Sequence, residues 1–87
     1  MSNVKTTKHE PVILYSTSWC GYCKMMEQYL KDKGVDFVEK DIEADPEAQQ
    51  ELMKKINNDF RGVPVTDVNG TIVLGFDRAA VDHALAA

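Results

Sequence analysis

The sequence predicts a single α/β domain in which a four-stranded mixed sheet is flanked by three helices, in the order β-α-β-α-β-β-α. An apolar run at 12–15 is followed first by a helical pattern and then by a strand pattern, which implies a right-handed parallel crossover. Later in the chain, Asn69-Gly70 separates two strand-like segments, and two-residue hairpin turns prefer this pair. A chain of 87 residues can build one core but not two domains.

The first half of the chain predicts two strands joined by a helix. Val12–Tyr15 is continuously apolar and follows Pro11, as expected for a central strand that is buried on both faces. Tyr22–Lys33 contains no Gly or Pro and has apolar residues at helical spacing, and Gly34 suits the position after the helix end. Val35–Asp41 alternates as a half-buried strand does. We expect the two parallel strands to occupy the middle region of the sheet.

The second half predicts a helix, a hairpin and a final short helix. Asp45-Pro46 is a strong helix start, because Asp accepts backbone N–H groups as N-cap and Pro suits the first helical position. This helix is expected to stop at Asn57-Asn58. The segments Pro64–Val68 and Thr71–Leu74 form the antiparallel hairpin, and Asp77 is the expected N-cap of the third helix.

Composition and charge narrow the possible partners and location. Residues 1–10 are polar and are expected to be a flexible leader, with the folded domain at 11–87. The net charge of −4 provides no electrostatic reason to bind nucleic acid or an anionic membrane. No stretch approaches the ~18 consecutive apolar residues that would span a bilayer, and the leader has no signal-peptide core. We therefore expect a cytoplasmic monomer without nucleic-acid or membrane partners.

Both cysteines, Cys20 and Cys23, lie in one C-x-x-C motif between the first strand and the first helix. At this spacing the two sulfurs share a face of the helix start and could bridge, bind a metal or pack as small apolar side chains. Under reducing conditions a lone pair of this kind is more often redox-active or metal-binding than structural. The helix dipole would favour the Cys20 thiolate, which we expect to be exposed, whereas Cys23 should be shielded. With His9 and His83 as the only histidines, a zinc site within one chain is not expected.

The order of elements, with C-x-x-C after the first strand, resembles the glutaredoxin branch of the thioredoxin superfamily over residues 12–86. Three segments carry the resemblance: Trp19–Cys23, Gly62-Val63-Pro64 and Gly75-Phe76-Asp77. The resemblance implies a thioredoxin-like, glutaredoxin-type fold and a dithiol thiol-disulfide oxidoreductase. In that activity Cys20 is the nucleophile and Cys23 the resolving thiol.

The resemblance also implies a substrate groove beside the cysteines. Its implied members are Trp19, Tyr22, Arg61, Val63, Pro64, Gly75, Phe76 and Asp77. Val63 precedes the family's cis-proline and would present its backbone to an extended substrate. Arg61 would meet the glycyl carboxylate of glutathione, and Asp77 its γ-glutamyl amine. The alternatives are a solvated loop charge for Arg61, a simple helix cap for Asp77, packing for Tyr22 and an ordinary trans proline at Pro64.

The electron source is the least determined part of the resemblance. Thr17 stands where glutathione-using members often have Lys, and Trp19 is more typical of thioredoxins. We expect glutathione as co-substrate, with no tightly bound cofactor and with disulfide-containing proteins among the substrates. The alternative is a glutaredoxin-like donor reduced by thioredoxin reductase, for instance serving ribonucleotide reductase. A third hypothesis, that the protein carries an iron–sulfur cluster or a metal, is less favoured than either of these two oxidoreductase functions.

Overall fold

The structure is a computed structural model that describes residues 12–86, so the expected leader at 1–10 lies outside the described residues. The predicted order of strands and helices is confirmed. The elements are β1 (Val12–Ser16), α1 (Gly21–Asp32), β2 (Phe37–Asp41), α2 (Pro46–Lys55), β3 (Val65–Val68), β4 (Thr71–Leu74) and α3 (Arg78–Ala86). None of the helices within residues 12–86 is long and apolar enough to cross a membrane.

The four strands form one sheet in the order β2-β1-β3-β4. β1 pairs with β2 in parallel and with β3 in antiparallel orientation, and β3 pairs with β4 as a hairpin. The expectation that the parallel pair lies in the middle of the sheet is therefore wrong, because β2 is an edge strand. β3 is buried along its whole length, whereas β2 exposes Val38 and Glu39. An interior position suits the buried strand, and a charged strand suits an edge.

Local signals mark the end of α1, the start of α2 and the hairpin turn where the sequence predicts them, whereas β2 begins at Phe37 rather than Val35 and α2 ends at Lys55, before Asn57-Asn58. Gly34, with φ of 72°, follows α1, and the N–H groups of Gly34 and Val35 bond to carbonyls in its last turn. Asp45 caps α2 by accepting from Glu47 N at 3.0 Å. The hairpin turn at Asn69-Gly70 has φ of 51° and 97°, the two positive values that a type I′ turn requires.

The sheet is covered on both faces. α1 and α3 pack on one face, where Leu14, Met26, Leu30 and Val81 are buried together. α2 packs on the other face over a second apolar group that includes Tyr15, Leu52 and Val65. This arrangement buries β1 on both sides and brings the end of β1 against the start of α1.

A polar network between α2 and the sheet was not predicted from the sequence. The Nζ atom of Lys55 lies 2.6 Å from Asp67 Oδ2 and 2.7 Å from the Tyr15 hydroxyl. Tyr15 donates to Glu51, which also pairs with Lys40 at 3.0 Å. Burial, reinforced by the Glu51 carboxylate, raises the pKa of Tyr15 to about 12. The charged groups of this network are paired with one another on the inner side of α2.

Candidate active site

Cys20 and Cys23 form a disulfide at the N-terminus of α1, with their Cα atoms 5.2 Å apart. β1 ends at Ser16, and a turn closed by a bond from Cys20 N to Thr17 O at 3.4 Å leads into the helix. Cys20 is the N-cap in an extended conformation, and its sulfur accepts the Cys23 N–H at 3.0 Å. A backbone N–H and the positive end of a helix both stabilise negative charge on that sulfur once the bridge is reduced.

The expected exposure of Cys20 is wrong for the bridged state. Cys20 is 5% exposed and Cys23 is 1% exposed. The sulfur of Cys20 is covered by its bond to Cys23 and by the backbone of Val63, whose carbonyl oxygen lies 3.8 Å away. Cys20 is still the slightly more exposed of the two cysteines, which is the expected direction.

Val63 and Pro64 lie beside the disulfide although they are more than 40 residues from Cys20 in sequence. The peptide bond between them is cis, as the resemblance implied. Val63 is half-buried and precedes β3, so it lies outside the regular hydrogen-bonded ladder of the sheet. The Pro64 carbonyl accepts from Gly75 N at 2.9 Å, which joins the segment before β3 to the one after β4.

Exposed aromatic side chains are found next to the cysteines in the sequence and near the cis-proline. Trp19 is 68% exposed and Tyr22 is 63% exposed. Tyr22 stacks on Phe76, with ring centroids 6.2 Å apart, and Phe76 follows Gly75 in the connection between β4 and α3. Phe60, which is 43% exposed, lines a cavity with Trp19 and Val63. Sequence reasoning missed Phe60, and a large apolar residue in the loop just before Gly62-Val63-Pro64 was the available signal.

Arg61 and Asp77 each have a local hydrogen-bond partner. The Arg61 guanidinium makes two bonds to Asp59, at 3.2 and 3.0 Å, and its side chain is 71% exposed. Asp77 caps α3 by accepting from Ala80 N at 3.0 Å. These contacts agree with the alternatives given for the two residues, an exposed loop charge for Arg61 and a helix cap for Asp77. A ligand could still contact both side chains, because each of them is exposed.

Glu43 was not singled out from the sequence, and Thr17 was noted only because it stands where glutathione-using members often have Lys. Glu43 accepts the Trp19 indole N–H at 2.9 Å, so a carboxylate stands beside the most exposed aromatic ring. Thr17 is buried, and its hydroxyl oxygen has no hydrogen-bond partner within the described residues. Within residues 12–86 no group of three or more His, Cys, Asp or Glu side chains is placed to hold a metal ion.

A four-stranded sheet between helices, with a redox-competent cysteine pair at a helix start and a cis-proline facing it, defines a thiol-disulfide protein of the thioredoxin fold. The glutaredoxin family model matches residues 12–73. The chain belongs to the glutaredoxin family, which confirms the resemblance found in the sequence.

Named relatives agree with this assignment. The chain is 39% identical over 72 residues to an uncharacterized glutaredoxin-like 8.6 kDa protein in the rubredoxin operon of Clostridium pasteurianum, covering 83% of this chain and 93% of the relative. It is 40% identical over 75 residues to a glutaredoxin of Pseudomonas aeruginosa, covering 86% and 83% respectively. The crystal structure of the glutaredoxin from Methanosarcina mazei superposes with a TM-score of 0.75 at 26% identity, covering 88% of this chain and 79% of that one.

Proposed function

We propose that this protein is a dithiol thiol-disulfide oxidoreductase that cycles Cys20 and Cys23 between dithiol and disulfide. The observation that carries the proposal is the position of the Cys20 sulfur. It accepts a helix N–H at 3.0 Å and lies 3.8 Å from the Val63 carbonyl. A sulfur at this position is stabilised as a thiolate and lies next to backbone that can hold a substrate.

The cycle has two exchange steps. The Cys20 thiolate attacks a substrate disulfide, breaks its S–S bond and forms a mixed disulfide while one substrate thiolate leaves. The Cys23 thiolate then attacks the Cys20 sulfur and releases the second substrate thiolate. The protein ends with the Cys20–Cys23 bridge, and two electrons have passed to the substrate. Reduction of substrate disulfides needs a supply of electrons, which a reducing cytoplasm would provide, and we include the cytoplasmic location expected from the sequence in this proposal.

The substrate in this proposal is an extended disulfide-containing segment laid beside Val63 and Pro64. Val63 lies outside the ladder of the sheet, so its backbone suits strand-like pairing with a substrate. Trp19 and Tyr22 flank the sulfurs with most of their surface in solvent, and Gly75-Phe76 forms the wall behind Tyr22. Aromatic side chains exposed together around a reactive group are typical of contact surfaces.

Glutathione is the first candidate for the reductant, on the strength of family membership. Asp77 and the start of α3 would receive its γ-glutamyl end, and Arg61 its glycyl carboxylate. Thioredoxin reductase is the second candidate, because three features near the groove offer little to the carboxylates of glutathione. Arg61 is already paired with Asp59, Glu43 adds a carboxylate beside Trp19, and the buried Thr17 adds no positive charge.

A coupled assay with NADPH separates the two candidates. The protein is supplied either with glutathione and glutathione reductase or with thioredoxin reductase, and NADPH oxidation is followed with a disulfide substrate. Turnover with thioredoxin reductase alone would overturn the glutathione proposal. Turnover with neither system would count against the oxidoreductase proposal as a whole.

Two serine variants test the roles of the cysteines. Cys20→Ser is expected to abolish turnover in both systems, because it removes the attacking sulfur. Cys23→Ser keeps that sulfur and is expected to retain reduction of glutathione mixed disulfides, which needs only one thiol. Equal loss in the two variants would contradict the use of glutathione.

A further inference from the structure

The proposed cycle requires Cys23 to lose and regain a proton, although it is only 1% exposed. A thiol attacks only as the thiolate, and burial raises the pKa of a thiol. The proton of Cys23 therefore needs a nearby acceptor and a path to solvent.

A cavity of about 320 Å³ lies against Cys23. α1 contributes Cys23, Lys24 and Glu27 to its lining, and the strands contribute Ser16, Glu39 and Asp41. The cavity thus connects the buried sulfur to carboxylates on the exposed edge strand β2.

Three carboxylates line this cavity, those of Glu27, Glu39 and Asp41, and Glu39 is the one that accepts a hydrogen bond from a buried hydroxyl group. Ser16, which is only 3% exposed, donates its hydroxyl to Glu39 Oε2 at 2.9 Å. Glu39 is exposed overall, but the protein removes part of the water around its carboxyl group, and this desolvation raises its pKa. Glu27 on α1 adds to the rise, whereas the Ser16 bond and the Lys24 ammonium oppose it. A carboxylate with a raised pKa is a better proton acceptor for a thiol.

Thr17 provides an independent indication that the cavity holds water. Its hydroxyl is buried, lines the cavity and has no partner within residues 12–86. Buried hydroxyl groups nearly always have a hydrogen-bond partner, and a cavity of this size with polar walls accommodates several water molecules.

We propose that Glu39 accepts the Cys23 proton through water in this cavity and returns it when the bridge is reduced. This inference rests on the proposed dithiol cycle. In the oxidative direction, the Cys23 S–H bond breaks, the proton passes through water to Glu39, and the sulfur electron pair forms the bond to Cys20 while the substrate thiolate leaves. In the reductive direction, an external thiolate attacks Cys20, Cys23 leaves as a thiolate, and Glu39 returns the proton. Glu39 is a positioning and proton-transfer residue that does not touch the substrate.

The test isolates the second exchange step. The reduced protein is mixed with one equivalent of dithiobis(nitrobenzoate), and the coloured thiolate is followed by stopped flow. Attack by Cys20 releases the first thiolate at a rate that depends on concentration. Attack by Cys23 is intramolecular and releases the second thiolate at a rate that does not depend on concentration.

Glu39→Gln is expected to slow the second phase about tenfold at neutral pH. This factor is smaller than general-base catalysis usually provides, because water can partly replace the carboxylate as proton acceptor. The first phase should change less than twofold. Asp36→Asn, which removes the same charge from the exposed segment before β2, should leave both phases unchanged. Glu39→Asp should restore part of the rate of the second phase. That rate should fall again as the pH drops below the pKa of the introduced carboxyl group.

The sign of the effect separates proton transfer from simple electrostatics. Removal of a negative charge near Cys23 lowers the pKa of its thiol, which by itself would increase the thiolate and speed the second phase. An unchanged or faster second phase in Glu39→Gln would therefore overturn the Glu39 proposal while leaving the dithiol cycle intact. Release of only one equivalent of the coloured thiolate by the unmodified protein would show that Cys23 does not attack the mixed disulfide, and it would overturn both proposals.

Discussion

Replacement of Lys55 by Met tests the polar network between α2 and the sheet. The side chain of Met retains an apolar stem but lacks the ammonium group. The variant loses the contact to Asp67 Oδ2 at 2.6 Å and the contact to the Tyr15 hydroxyl at 2.7 Å. Asp67 lies on the interior strand β3, and its side chain is 13% exposed.

The expected decrease in the free energy of unfolding depends on the hydrogen bonds that Asp67 keeps in the variant. Removal of one partner of a fully buried ion pair costs about 3–5 kcal/mol, because a charge is left uncompensated. The Lys55 side chain is 27% exposed, so water can partly replace it, and Asp67 keeps the Gly70 N–H at 2.7 Å. A hydrogen bond to a charged group contributes about 1.5–3 kcal/mol. We therefore expect the free energy of unfolding to fall by about 2 kcal/mol.

Urea unfolding followed by far-ultraviolet circular dichroism, with the disulfide intact, measures this loss. With a slope near 1 kcal/mol per molar urea, the midpoint should fall by about 2 M. Lys54→Met is the matched control, because Lys54 is exposed on the same helix and should change stability by less than about 0.5 kcal/mol. Adding Asp67→Asn to the Lys55 variant should recover part of the loss, since no unpaired charge remains. Equal stability of the Lys54 and Lys55 variants would refute the reasoning.

Two further predictions concern local stability. Asp45→Ala removes the acceptor of the Glu47 and Ala48 N–H groups and should lower the free energy of unfolding in urea by about 1 kcal/mol. Asp45→Asn keeps a capping oxygen and should change it by only a few tenths of a kcal/mol. Equal losses in the two variants would show that the charge of Asp45, rather than its capping hydrogen bonds, stabilises α2. The pKa of Tyr15 is raised from 10.0 to about 12, so between these pH values only the folded state holds the proton and the free energy of unfolding should fall as pH rises. Tyr15→Phe should flatten this fall, and an unchanged pH slope in that variant would contradict the assignment.

The sequence by itself determined those features that depend on neighbouring residues. Asp45 caps α2 because its carboxylate reaches the next turn, and Asn69-Gly70 forms the hairpin turn because both residues tolerate positive φ. Cys20 and Cys23 lie close together because a two-residue spacing at a helix start brings their sulfurs within bridging distance, although the sequence left open whether they bridge, bind a metal or pack. Interactions of this kind span at most a few residues, so their residue types and spacing are sufficient to predict them.

The tertiary structure decided which distant segments meet. β3 rather than β2 takes the interior position beside β1, because its side chains can be buried on both faces. That choice carries Val63 to the Cys20 sulfur and brings Asp67 within reach of Lys55, while β2 at the edge places Glu39 in the cavity beside Cys23. These contacts depend on strand order and helix packing, which arise from burial summed over the whole chain. The cysteine pair could therefore be recognised in the sequence, whereas the groups that surround it required the fold.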